Sequence, residues 1–167
     1  MPLTEQTTAP RAAPPALAPR IHHVGVQTAD LDNCLTWYQE FFGAEKRWEL
    51  DRFSDLTLSR LPGIGRLVEV AVGDLRFHLF DRSDHDRRVP PEESHQFQHV
   101  CLRVDEPDEL TAVRERWIEL YDSGRFAFAR QDGPTEVVVD EDGVRSLYLF
   151  DVNGLEYEFA HVPEGHR

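Results

Sequence analysis

From Ile21 onward, hydrophobic positions switch repeatedly between a period of two and a period of three to four. Ile21-His22-His23-Val24-Gly25-Val26-Gln27 alternates and predicts a strand, with His23 on the face opposite Val24 and Val26. Leu31, Cys34, Leu35, Tyr38, Phe41 and Phe42 then recur at helical spacing. Thr28-Ala29-Asp30 supplies the helix start and Gly43 its stop. Trp48 to Phe53 predicts a second strand, and residues 54–65 a loop or short helix broken at Pro62-Gly63. Leu67 to Val72 and Leu75 to Phe80 flank Gly73-Asp74 and predict a hairpin. A polar connection over 81–94 follows, with Pro90-Pro91 inside it.

The pattern then starts again. Phe97 to Val104 repeats the character of the first strand, and Pro107 opens a helix whose apolar stripe is Leu110, Val113, Trp117 and Tyr121. Strands are predicted around Phe126 to Arg130, Val137 to Asp140, Leu147 to Asp151 and Leu155 to His161, the last two joined by a turn over Asp151 to Gly154. Past that turn Leu155, Tyr157 and Phe159 share one face, and Glu156 and Glu158 the other. The order β-α-β-β-β therefore occurs twice. His23 and His99 open equivalent strands, while His78 and Glu158 lie in the closing strand of each half. This is an internal duplication. The predicted class is α+β, with two paired βαβββ modules, about 21–82 and 97–163, forming a curved mixed sheet around a cleft. Alternation aims His23, His78, His99 and Glu158 into that cleft.

Composition narrows the setting. The 167 residues fit one domain, and 40% hydrophobic content is enough for a core. A net charge of −13 argues against nucleic-acid and anionic-membrane partners. No stretch approaches a membrane span. Cys34 and Cys101 sit in apolar runs and read as buried thiols in a reducing cytoplasm. The first twenty residues, rich in Pro, Ala and Thr, read as a disordered tail before a domain over 21–163.

The chain from Ile21 to His161 resembles the vicinal oxygen chelate superfamily, which includes glyoxalase I, fosfomycin-resistance proteins and extradiol dioxygenases. The resemblance rests on His23-Val24, Asp30-Leu31, Trp37-Tyr38, Gly43, His99-Val100, and Gly154 through Glu158. It implies paired βαβββ modules around a divalent metal, hence a metal cleft, and a homo-oligomer. Leu147 through Glu158 also resembles the extradiol signature Leu-Tyr-x-x-Asp-Pro-x-Gly-x-x-x-Glu, with Val152 in place of the proline. By position, the extradiol ligands are His23, His99 and Glu158, with Fe(II) as the cofactor. Tyr148 takes the place of the family's site tyrosine. His85, next to Asp86, takes that of its proton-shuttling histidine, with His95 as competitor. Another family histidine is lacking, because Val139, Asp140 and Glu141 fill its neighbourhood. The chain further resembles single-domain L-DOPA 2,3-dioxygenases of alkylproline antibiotic pathways, on the Asp51 to Ser54 and Ser59 to Gly63 segments.

Two imidazoles and one carboxylate with open positions match the facial triad of non-haem Fe(II) oxygenases. The implied reaction is extradiol ring cleavage of a catechol, L-DOPA, with O₂ to give a semialdehyde. An amino-acid substrate needs a cation for its carboxylate, for which Arg52 and Arg145 are candidates beside Arg60 and Arg103. His78 is either a fourth ligand or a catalytic hydrogen-bond donor lining the cleft. As a fourth ligand it would suit a glyoxalase-like isomerase or epimerase with Zn²⁺, Ni²⁺ or Co²⁺. A third reading is a drug-binding resistance protein without turnover.

Overall fold

The computed structural model describes residues 20–84 and 97–165. Two modules follow one another. The first runs β1 (Val24–Thr28), α1 (Leu31–Phe42), β2 (Glu45–Leu50), α2 (Asp55–Arg60), β3 (Leu67–Val72) and β4 (Leu75–Asp81). The second runs β5 (Val100–Val104), α3 (Asp108–Asp122), β6 (Val138–Val139), β7 (Arg145–Phe150) and β8 (Glu156–His161). These are the paired βαβββ units expected. Each forms a four-stranded mixed sheet, ordered β1-β4-β3-β2 and β5-β8-β7-β6. The first strand of each module pairs in parallel with the last, and the remaining pairs are antiparallel.

Local chemistry sets the boundaries. Asp30 caps α1 by accepting the Asn33 amide at 3.1 Å, and Gly43 ends it in the left-handed region at φ 67°. Predicted strands shift in two places. The second strand lies at Glu45–Leu50, earlier than the expected Trp48 to Phe53, with a register shift between Lys46 and Trp48. Its charged face suits an edge strand. The expected strand over Phe126 to Arg130 is irregular chain. Phe128 packs there at 5.2 Å from Trp117 and 5.0 Å from Tyr121. The segment serves the core through side chains instead of a ladder, and the module keeps the three strands that follow α3. The expected tail falls on residues 1–19, outside those described, apart from Arg20.

Alternation sorts each sheet into an inner and an outer face. In the first, Val26, Val68, Val70, Phe77 and Leu79 point inward and are buried against α1. In the second, Leu147, Leu149, Tyr157 and Phe159 point inward. Phe42 of α1 touches both sets, with ring centroids 5.3 Å from Phe77 and 6.3 Å from Phe159. Phe77 and Tyr157 meet directly at 6.3 Å. One aromatic core thus backs both sheets.

The β7–β8 turn is tied into that core. Asp151 is fully buried. Its Oδ1 accepts the Asn153 and Leu155 amides at 2.8 Å each, and its Oδ2 accepts the Tyr38 hydroxyl at 2.8 Å. The Tyr38 and Tyr157 hydroxyls lie 2.8 Å apart. Gly154 closes the turn at φ 80°. Burial raises the Asp151 pKa, against the pull of these donors. No helix among the described residues is long and apolar enough to cross a membrane.

Candidate metal centre

The outer faces carry the chemistry. In the first sheet His78 alternates with Phe77 and Leu79, and so faces outward on β4. His23, just before β1, stacks on it with centroids 3.6 Å apart and planes at 11°. His22 follows, its Nδ1 lying 2.9 Å from that of His23. His22, His23 and His78 offer donor atoms that all lie within 4.8 Å of one another, the one such group of three or more among the described residues. Beneath them Glu69 of β3 is 2% exposed, with its Oε2 2.9 Å from His78 Nε2. Arg76 donates to its other oxygen at 3.2 Å. Burial alone would raise the Glu69 pKa, but His78 and Arg76 together hold it below the usual carboxylate value. Trp48 of β2 packs against His78 at 5.0 Å.

In the second sheet Glu158 faces outward on β8, between the inward Tyr157 and Phe159. His99, just before β5, places its Nε2 3.0 Å from Glu158 Oε2. Ser146 and Tyr148 of β7 donate to Oε1 at 2.8 and 3.1 Å. Burial would raise the Glu158 pKa, but Ser146, Cys101, Tyr148 and His99 outweigh it and keep the carboxylate ionised. Burial and then Glu158 push the Tyr148 phenol up, so it stays a proton donor at neutral pH.

These donors fit a divalent cation. His99 Nε2 and Glu158 Oε2, 3.0 Å apart, are in hydrogen-bond contact and close enough for both to reach one cation. Burial, then His78 and His22, lower the His23 pKa, which favours the neutral imidazole that a metal ligand requires.

Of the predicted residues, the structure brings His23 to His78, and His99 to Glu158 and Tyr148. It does not bring the two sets to one point within the chain, because they lie on outer faces backed by the same core. Arg52 is exposed after β2. Arg145 shares its β7 parity with the inward Leu147 and Leu149, not with Ser146 and Tyr148. Arg103 donates to the Val162 carbonyl at 3.3 Å, and Arg60 ends α2. His85, Asp86 and His95 lie outside the described residues. Sequence reasoning missed Glu69 and Ser146. Its available signal for Glu69 was one acid inside an otherwise apolar strand, Leu67-Val68-Glu69-Val70.

The profile of the Glyoxalase/Bleomycin resistance protein/Dioxygenase superfamily matches residues 20–116. No curated protein matched the chain. Among solved structures, a glyoxylase/bleomycin resistance protein/dioxygenase domain from Frankia sp. EAN1pec aligns at TM-score 0.70 and 17% identity, covering 90% of this chain and 96% of that one. Lactoylglutathione lyase from Agrobacterium tumefaciens aligns at 0.55 and 22%, covering 89% and 96%. The fosfomycin resistance protein FosX from Listeria monocytogenes, in complex with Mn(II) and sulfate, aligns at 0.55 and 14%, covering 90% and 98%. At these identities the structures establish the shared fold. With its duplicated βαβββ modules and the profile match over more than half its length, the chain belongs to the Glyoxalase/Bleomycin resistance protein/Dioxygenase superfamily.

Proposed function

We propose that this protein cleaves a catechol ring beside its diol using O₂, with Fe(II) held by His23, His99 and Glu158, and that L-DOPA is the substrate in an alkylproline antibiotic pathway. The observation that carries the reading is the His99–Glu158 contact at 3.0 Å, an imidazole and a carboxylate that with His23 make two imidazoles and one carboxylate. Glu69 holds His78 Nε2 and leaves its Nδ1 free. Held by His23, His99 and Glu158, Fe(II) would supply the Lewis acidity that lowers the pKa of the catechol hydroxyls and the redox chemistry for O₂. Tyr148, now donating to Glu158 Oε1 at 3.1 Å, stands where it can donate to a substrate oxygen. His78, its Nε2 steadied by Glu69, keeps its Nδ1 as the described nitrogen suited to carrying a proton beside His23. Cys34 is buried as expected, whereas Cys101, on the outer face of β5, is exposed; both are free thiols, which supports a cytoplasmic setting.

The ligands come from two copies of the chain in this reading. His23 of one copy meets His99 and Glu158 of another, so a closed dimer carries two sites. Support comes from the placement of the two half-sites on outward faces.

A second reading has one observation in its favour. The His22, His23 and His78 group lets His78 act as a fourth ligand, which suits Lewis-acid isomerisation or epimerisation. The experiment that separates the two is oxygen uptake. Protein reconstituted anaerobically with Fe(II) and given L-DOPA should, on admission of O₂, consume one O₂ per substrate and develop a yellow semialdehyde chromophore. No uptake with L-DOPA or simple catechols overturns the dioxygenase reading.

A further inference from the structure

Arg130 lies in the irregular segment between α3 and β6, and its guanidinium carbon sits 4.4 Å over the ring of Phe150. Phe150 shares β7 parity with Ser146 and Tyr148, so this contact is on the outer face that carries Glu158. Arg130 Nε is buried without a hydrogen-bond partner, and among the described residues no carboxylate pairs with the side chain. The Nη groups of a guanidinium held over an aromatic ring remain donors suited to a carboxylate.

The opposite charge is the next neighbour. Glu156 on β8 is the Cα partner of Phe150, and it also faces outward. Gln98 donates to its Oε2 at 2.8 Å, and the same oxygen lies 4.0 Å from His99 Nδ1. Tyr148 and Glu158 form the next outward rung of the same ladder. Two residues along a strand span about 6.8 Å. A cation lying over Phe150 and an anion on the strand partner of Phe150 thus stand one rung from the candidate metal ligands, without pairing with each other.

We propose that Arg130 and Glu156 form a head-group subsite for an α-amino acid, Arg130 taking the α-carboxylate and Glu156 the α-ammonium. This rests on the catechol reading for the ring end. An aromatic ring joined to an amino-acid head by one methylene would lie along the sheet, diol toward Glu158 and head toward Arg130. The subsite replaces Arg52 and Arg145 as the source of carboxylate recognition.

The test compares four catechols: L-DOPA, dopamine (no carboxylate), 3-(3,4-dihydroxyphenyl)propanoate (no ammonium) and 4-methylcatechol (neither). Arg130→Met keeps the packing on Phe150 and removes the charge. Relative to 4-methylcatechol, it should lose roughly 10- to 100-fold in kcat/KM on the two carboxylates and little on dopamine. Glu156→Gln should instead penalise L-DOPA and dopamine. An unchanged ratio in Arg130→Met, or an equal loss on all four, overturns the subsite. Anaerobic calorimetric titration of the Fe(II)-loaded protein reads the head group without turnover. Tighter binding of L-DOPA than dopamine, erased by Arg130→Met, supports the subsite even where no oxygen is consumed, and in that case only the ring-cleavage reading fails. Equal binding of the two by wild type overturns the subsite, whatever the oxygen uptake.

Discussion

His78 and Glu158 hold the same place in their two sheets and point away from each other. Each lies on the last strand of its module. Glu69 is the antiparallel neighbour of His78, and Tyr148 that of Glu158; Gly25 and Cys101 are the parallel neighbours. The residues just before them, Phe77 and Tyr157, meet through the core at 6.3 Å. Adjacent strand residues face opposite ways, so contact between Phe77 and Tyr157 drives His78 and Glu158 apart.

A complementation experiment follows from this divergence. His23→Ala and Glu158→Ala should each abolish activity and metal retention. Refolded together in equal amounts, they should regain about a quarter of wild-type activity, since half of randomly paired dimers are mixed and each has one intact site. His99→Ala mixed with Glu158→Ala, both in the second sheet, should regain none. Absence of recovery from the first pair would sink the two-chain arrangement.

The register equivalence of Glu69 and Tyr148 gives them parallel roles beside their outward partners. Tyr148→Phe removes the phenol that donates to Glu158, and should lower kcat about 10- to 100-fold while iron content, read by colorimetric assay, stays at the wild-type level. Glu69→Gln removes the charge that steadies His78 and should shift the pH profile of kcat, with a loss on the order of tenfold. A Tyr148→Phe enzyme of normal rate would remove that residue from the reaction.

Asp151 predicts a pH-dependent stability of definite sign. Its native pKa is raised by burial, so the native state binds its proton more tightly than the unfolded chain. The stabilisation from this group is full below the unfolded value near about 3.9 and is lost as pH rises through the raised native value. Asp151→Asn leaves backbone and Tyr38 donors poorly matched and should cost about 1–3 kcal/mol. The wild-type advantage in urea denaturation should be largest at acid pH and shrink toward neutrality. An advantage that grows with pH would contradict the burial argument.

Hydrophobic alternation made β3, β4, β7 and β8 legible, because a sheet with one buried face writes its register into every second residue. The α1 stripe was legible for the same local reason, although Trp37, fully buried and stacked on Phe41 at 4.5 Å, lay outside the stripe drawn from the sequence. The duplication located His23 and His78 in one module and His99 and Glu158 in the other. What the chain could not announce locally depends on contacts between residues far apart in sequence. Phe126 to Arg130 has the composition of a strand, yet Trp117, Tyr121 and Trp37 use its Phe128 ring as core, and Arg130 comes to rest on Phe150. Glu69 finds His78 only once β3 and β4 pair. The sequence by itself determined the modules, the faces and the donor types. Only the tertiary structure decided how the two sheets stand to each other, because Phe42, Phe77, Tyr157 and Phe159 pack into one core, and burial of their shared apolar surface turns the two sets of donors outward.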